Sequence, residues 1–98
     1  MLVSFKPGNV IFLNHNTRKL NYTFTLECAI PKYDRNSKKY VYNSIIVNVK
    51  EREPMLVIGC MHSRNIKWIN VMMPDGTFGW ESENYWNTVC NLYKCIII

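Results

Sequence analysis

Alanine is almost missing from this chain, which holds Ala29 and no other. Glycine and proline are sparse too, four of each, and both fall where turns are expected. No stretch approaches the roughly 20 apolar residues that a membrane-spanning helix needs, so no membrane association is expected. The opening Met1–Gly8 has no basic start followed by an apolar run, which argues against a signal peptide. The expected location is therefore intracellular, in a host cytoplasm or in a virion.

The motifs of catalysis are lacking as well. There is no Gly-rich phosphate loop, nucleophile elbow or metalloprotease pair. The four cysteines, Cys28, Cys60, Cys90 and Cys95, contain no C-x2-C, and with His15 and His62 they do not match zinc-ribbon or zinc-knuckle spacing. They read as reduced thiols that behave as small hydrophobes. A Cys/His pair, for example Cys60 with His62 or His15, is the nucleophile–base combination on offer, and no third orienting residue accompanies it. The carboxylates cluster at 51–53 and 81–83, expected on exposed turns. These readings predict no enzyme, no cofactor and no metal.

What is present is apolar and β-forming. Ninety-eight residues make one domain, 1–98, with 48% apolar and 19% charged residues, a composition that folds. Frequent Asn, Ile, Lys and Tyr beside scarce Ala are what an AT-rich coding sequence produces, and point to a viral, phage, organellar or AT-rich microbial origin. The net charge of +5 is uneven. Residues 1–50 carry eight Lys or Arg against two carboxylates, and residues 51–98 four against five. A basic half suits an anionic partner. Because the charges lie mostly in expected loops, ordinary solubilising charge is the plainer reading.

The alternation Leu20, Tyr22, Phe24, Leu26, Cys28, Ile30 against Asn21, Thr23, Thr25, Glu27, Ala29 predicts a half-buried strand ended by Pro31. A second strand over 40–49, with Val41, Ile45, Val47 and Val49 on one face, makes a long hairpin with it. Val10–Leu13 reads as a short strand, and Met55–Met61 as a central strand buried on both faces. Ile66–Met72, the turn Pro74-Asp75-Gly76 and Phe78–Trp80 read as a hairpin with Gly76 left-handed. Residues 81–86 read as a single helical turn that Ser82 can cap. Residues 96–98 read as a closing strand, although Cys95-Ile96-Ile97-Ile98 also has the form of a prenylation signal. The Asn21-Tyr22-Thr23 glycosylation sequon sits mid-strand and is discounted.

So many short strands predict an all-β fold: a small antiparallel barrel or strongly bent sheet with a long hairpin and one short helical turn. Phe5-Lys6-Pro7-Gly8-Asn9-Val10-Ile11 resembles the opening of SH3-like small β-barrels. Trp68 to Trp80 is similar to their distal hairpin. Small tailed-phage proteins often have this layout, so the resemblance implies a phage-like binding domain.

Two binding surfaces follow. Trp68, Phe78, Trp80, Tyr85 and Trp86 crowd the last third, more aromatics than a small core needs, which predicts a protein-binding patch. Lys32, Tyr33, Arg35, Lys38, Lys39, Tyr40 and Tyr42 combine cations with flat rings, as nucleic-acid binding requires. The expected function is a non-enzymatic viral module binding a virion or host protein by occupancy. The alternative is a nucleic-acid-binding barrel.

Overall fold

The computed structural model describes residues 2–14 and 21–98. His15, and Leu20 of the alternating run, lie outside the described residues. The strands are β1 Val10–Phe12, β2 Asn21–Glu27, β3 Lys32–Asp34, β4 Lys39–Val41, β5 Ser44–Lys50, β6 Pro54–Ser63, β7 Ile66–Met72, β8 Phe78–Ser82 and β9 Ile96–Ile97. One helix, α1, spans Glu83–Tyr93. Seven strands form an antiparallel sheet in the order β5-β2-β8-β7-β6-β1-β9, and β3 and β4 form a separate hairpin.

The fold is all-β, as expected, but the barrel does not close. β5 and β9 remain the two edges of the sheet. A single register pair, Glu27↔Trp80, joins β2 to β8. The β2–β5 hairpin is thus nearly a second sheet, and α1 covers the core instead of further strand pairing. Tyr22, Phe24 and Leu26 of β2 and Val47 and Val49 of β5 face inward with Ile69 and Val71 of β7. Trp86 of α1 is fully buried beside them, 5.8 Å from the Phe24 ring, and Tyr93 meets Tyr22 edge-on at 4.8 Å.

The expected single helical turn is in fact three turns long. Asn, Thr, Val and Cys are weak helix formers, so local propensity does not announce it. Trp86, Val89, Cys90 and Tyr93 recur at helical spacing and supply one packed stripe. Ser82 caps the helix as predicted, its Oγ accepting the Tyr85 N–H at 3.1 Å. At the other end Lys94 is left-handed, and the Cys95 N–H reaches the Cys90 carbonyl at 3.0 Å. Asn87, on the same helix, ties down the N-terminal segment: it accepts the Val3 N–H at 2.6 Å and donates to the Val3 carbonyl at 3.0 Å.

Two further expectations are corrected. The strand expected over 40–49 breaks at Tyr42-Asn43, because the carboxylate of Glu27 is buried there. It accepts the Asn43 N–H at 3.0 Å and the Ser44 hydroxyl at 2.6 Å, which jogs the chain between β4 and β5. β6 is interior in the strand order but not buried on both faces. A bulge between Val57 and Gly59 shifts its register, leaving Ile58 and Met61 exposed while Met55 and Val57 point inward. The β7–β8 turn forms as expected, with Gly76 at φ +89 and the Gly76 N–H on the Met73 carbonyl. Ile96–Ile97, expected as a closing strand, pairs with β1 but ends the sheet as an open edge.

Candidate functional site

The basic, tyrosine-rich segment is an ordered hairpin instead of a loop. β3 and β4 pair Lys32↔Val41, Tyr33↔Tyr40 and Asp34↔Lys39, so the tyrosines stand opposite one another on one face. Their rings meet edge-on at 5.3 Å, and Tyr42 continues the series, 6.4 Å from Tyr40. All three rings are exposed, Tyr42 by 62%. The guanidinium of Arg64, at the β6–β7 turn, stacks over Tyr33 at 4.9 Å. Between that turn and the hairpin runs an open groove of about 420 Å³, lined by Pro31, Lys32, Tyr33, Met61, His62 and Arg64.

Electrostatically the hairpin is one-sided. Lys32, Arg35, Lys38 and Lys39 face Asp34 as their only local carboxylate. Asp34 is turned back on its own loop, accepting the Asn36 N–H at 3.0 Å and the Ser37 hydroxyl at 2.9 Å. Those two hydrogen bonds, the Asn36 one foremost, hold its carboxyl below the usual range. Among the described residues the ion pair that does form is elsewhere, Lys67 with Glu83 at 2.9 Å.

Two of the cations sit where turns favour glycine or asparagine. Lys38 has φ +56, and Arg64 has φ +52 in a two-residue turn with Asn65 at φ +64. A left-handed L-residue costs about 1 kcal/mol, and such strain persists where something else is gained. Lys38→Gly should therefore raise the unfolding free energy by about 1 kcal/mol, measured by denaturant melting, while removing a cation from the hairpin.

The five aromatics expected to share one patch are divided by the sheet. Pairing of Met72↔Phe78, Asn70↔Trp80 and Trp68↔Ser82 puts Trp68, Phe78 and Trp80 on the face opposite the core. Met61, opposite Trp68, joins them. Phe78 is 52% and Met61 54% exposed, and Trp68 and Trp80 are half-buried. The Trp80 ring reaches across β7 to within 3.9 Å of where a Gly59 Cβ would lie. Trp86 belongs to the core, and Tyr85 packs edge-on against it at 5.6 Å. Burial pushes the Tyr85 hydroxyl up to about 12, reinforced by Glu81. The cause of the split is the N-cap at Ser82, where the chain leaves the sheet and α1 carries 85 and 86 to the core side.

The remaining candidates are dispersed. Cys60 donates to the Phe5 carbonyl at 3.6 Å, and burial pushes its thiol up, away from a nucleophilic thiolate. The carboxylates at 81–83 are not an exposed turn: both are half-buried, and Glu83 accepts the Phe5 N–H as well as pairing with Lys67. No cluster of three potential metal ligands exists among the described residues, and no described helix is long and apolar enough to cross a membrane. The buried Glu27 is the feature that sequence reasoning missed, since alternation assigned it to the wet face. Comparison with known proteins finds no match: no family model, curated protein or solved structure aligns with this chain.

Proposed function

We propose that this protein is a non-enzymatic binding module that engages single-stranded nucleic acid through the β3–β4 hairpin. The observation that carries this reading is the exposed series Tyr33, Tyr40 and Tyr42 set among Lys32, Arg35, Lys38, Lys39 and Arg64. Unpaired bases can stack on such rings and a duplex cannot, while the cations take the phosphates. The groove beside Arg64 gives the strand a path from the hairpin onto the sheet. The likeness to SH3-like barrels of small tailed-phage proteins belongs to this proposal too, and rests on the Phe5–Ile11 and Trp68–Trp80 segments with the AT-rich composition.

The test is fluorescence anisotropy of labelled single strands and a matched duplex, DNA and RNA, titrated from low to physiological salt. The expected result is preference for the single strand. Neutralising about four phosphates gives a log–log salt slope of roughly −3. Absence of binding at low salt refutes the reading.

A second reading is supported by the uncovered sheet face. Exposed Phe78 and Met61 flank Trp68 and Trp80, an aromatic and methionine surface suited to a protein partner in a virion or host. Binding there would be insensitive to salt, which separates the two readings.

A further inference from the structure

We propose that Cys90 and Cys95 form an oxidisable dithiol, a modification site at which a small disulfide such as oxidised glutathione exchanges to leave a Cys90–Cys95 bond. The local fold brings the two together. Cys90 is in the last turn of α1, and Lys94 follows in the left-handed conformation that ends the helix. The Cys95 N–H then bonds to the Cys90 carbonyl at 3.0 Å. That six-to-one closure sets the residues at its two ends side by side at the end of the helix, where they line one cavity.

The thiols use this proximity. Their mutual interaction lowers the Cys90 thiol below its ordinary value and, with burial, raises that of Cys95. Both line a cavity of about 320 Å³ with Val3, Asn91 and Ile97, through which a small thiol reagent can reach them. The other two cysteines differ. Cys28 is exposed, and Cys60 is engaged with the Phe5 carbonyl.

The exchange proceeds in two steps. The Cys90 thiolate attacks one sulfur of oxidised glutathione, forming a mixed disulfide and expelling one glutathione thiolate. Cys95 then gives its proton to solvent and attacks the Cys90 sulfur, expelling the second glutathione. The protein loses two electrons and two protons, and one oxidised glutathione becomes two reduced molecules. The product joins the end of α1 to the residue before β9, the strand that pairs with β1 at the sheet edge.

The experiment incubates the native full chain with oxidised glutathione, alkylates the remaining thiols and maps the peptides by mass spectrometry. The expected product is a Cys90–Cys95 linked peptide, lighter by about 2 Da than the reduced form, which reverts with dithiothreitol. In Cys95→Ser the linked peptide disappears and Cys90 is recovered as the glutathione adduct. Cys28→Ser leaves the linkage in place. Free thiols at both 90 and 95 after incubation overturn the proposal, as does a disulfide joining either of them to another cysteine. Should Cys95→Ser fail to fold, the mapping of the unmodified sequence still decides the question.

Discussion

Gly79→Ala is expected to destabilise the fold by about 3 kcal/mol, the upper part of the range for overpacking a filled site. The backbone conformation of Gly79 is not the reason; space is. A Cβ built there lies 2.6 Å from the Cβ of Leu26 and 3.2 Å from the Glu27 carbonyl oxygen. Neither atom is the mobile end of a side chain, so β2 and β8 would have to separate. Glu27↔Trp80 is the one register pair between these strands, and no neighbouring rung shares the displacement. Separation would also uncover Leu26, which is completely buried. A domain of this size is stable by roughly 5–15 kcal/mol, so the loss is a large part of the total. Denaturant unfolding should show a lower midpoint at an unchanged slope. Because the crowding atom is a Cβ, Leu26→Ala does not relieve Gly79→Ala and adds a cavity of its own. Leu26→Gly is the change that relieves it. Gly59→Ala is the control: its added methyl meets Asn70 and Trp80 at 3.8 and 3.9 Å, ordinary contact distances, and should move stability by less than about 1 kcal/mol. Equal losses at the two glycines would sink the idea that the β2–β8 crossing is the tight point of the fold.

That crossing also marks where the sequence stops being legible. Alternation places Tyr22, Phe24 and Leu26 in the buried set, since one wet face imposes period two on the residues, but β2 stops at Glu27 short of Pro31, and Cys28, read on the same face, is exposed. Gly76 and Ser82 are readable because a left-handed turn position and a helix N-cap each demand particular side chains. The closing of the sheet leaves no such mark: whether β5 and β9 meet depends on how α1 fills the core, and α1 itself is built from weak helix formers held by Trp86 packing. Glu27 obeys the alternation and points to the non-core face, yet it is buried, because Asn43 and Ser44 from the jogged strand cover it. The bulge that exposes Ile58 and Met61 follows from the meeting of β6 and β7, which no local pattern encodes. For the candidate sites the division is similar. The composition of the 32–42 segment is visible in the sequence. The opposition of Tyr33 and Tyr40, and the reach of Arg64 from a distant turn, emerge only from the pairing.

Reversing charge in Lys38→Glu/Lys39→Glu is expected to weaken single-strand binding by about 100-fold at low salt, and to make the salt slope shallower by about 1.4, two phosphate contacts' worth. The core should be indifferent. No residue of β3 or β4 belongs to the buried core, and neither lysine has a carboxylate partner among the described residues that the change would break. Thermal melting of the variant should therefore fall only slightly below that of the parent, the loss coming from Lys39→Glu opposite Asp34. Stacking is tested separately from charge. Tyr42→Ala and Tyr40→Ala should each cost about 1–3 kcal/mol of binding, roughly 5- to 150-fold, with the salt slope unchanged because no cation is lost. Tyr42→Phe keeps the ring and should bind as the parent does. The two sets of variants then report on different physics: one moves the slope and the other moves the intercept. A charge-reversed protein that binds with full affinity would show that the cations only solubilise the hairpin. Unchanged binding in both sets would shift the search to the uncovered face bearing Trp68, Phe78 and Trp80, where Phe78→Ala becomes the informative variant. Phe78 is half-exposed beside Met72 and outside the core, so its loss should leave the fold intact and diminish only an interface that the aromatic face makes.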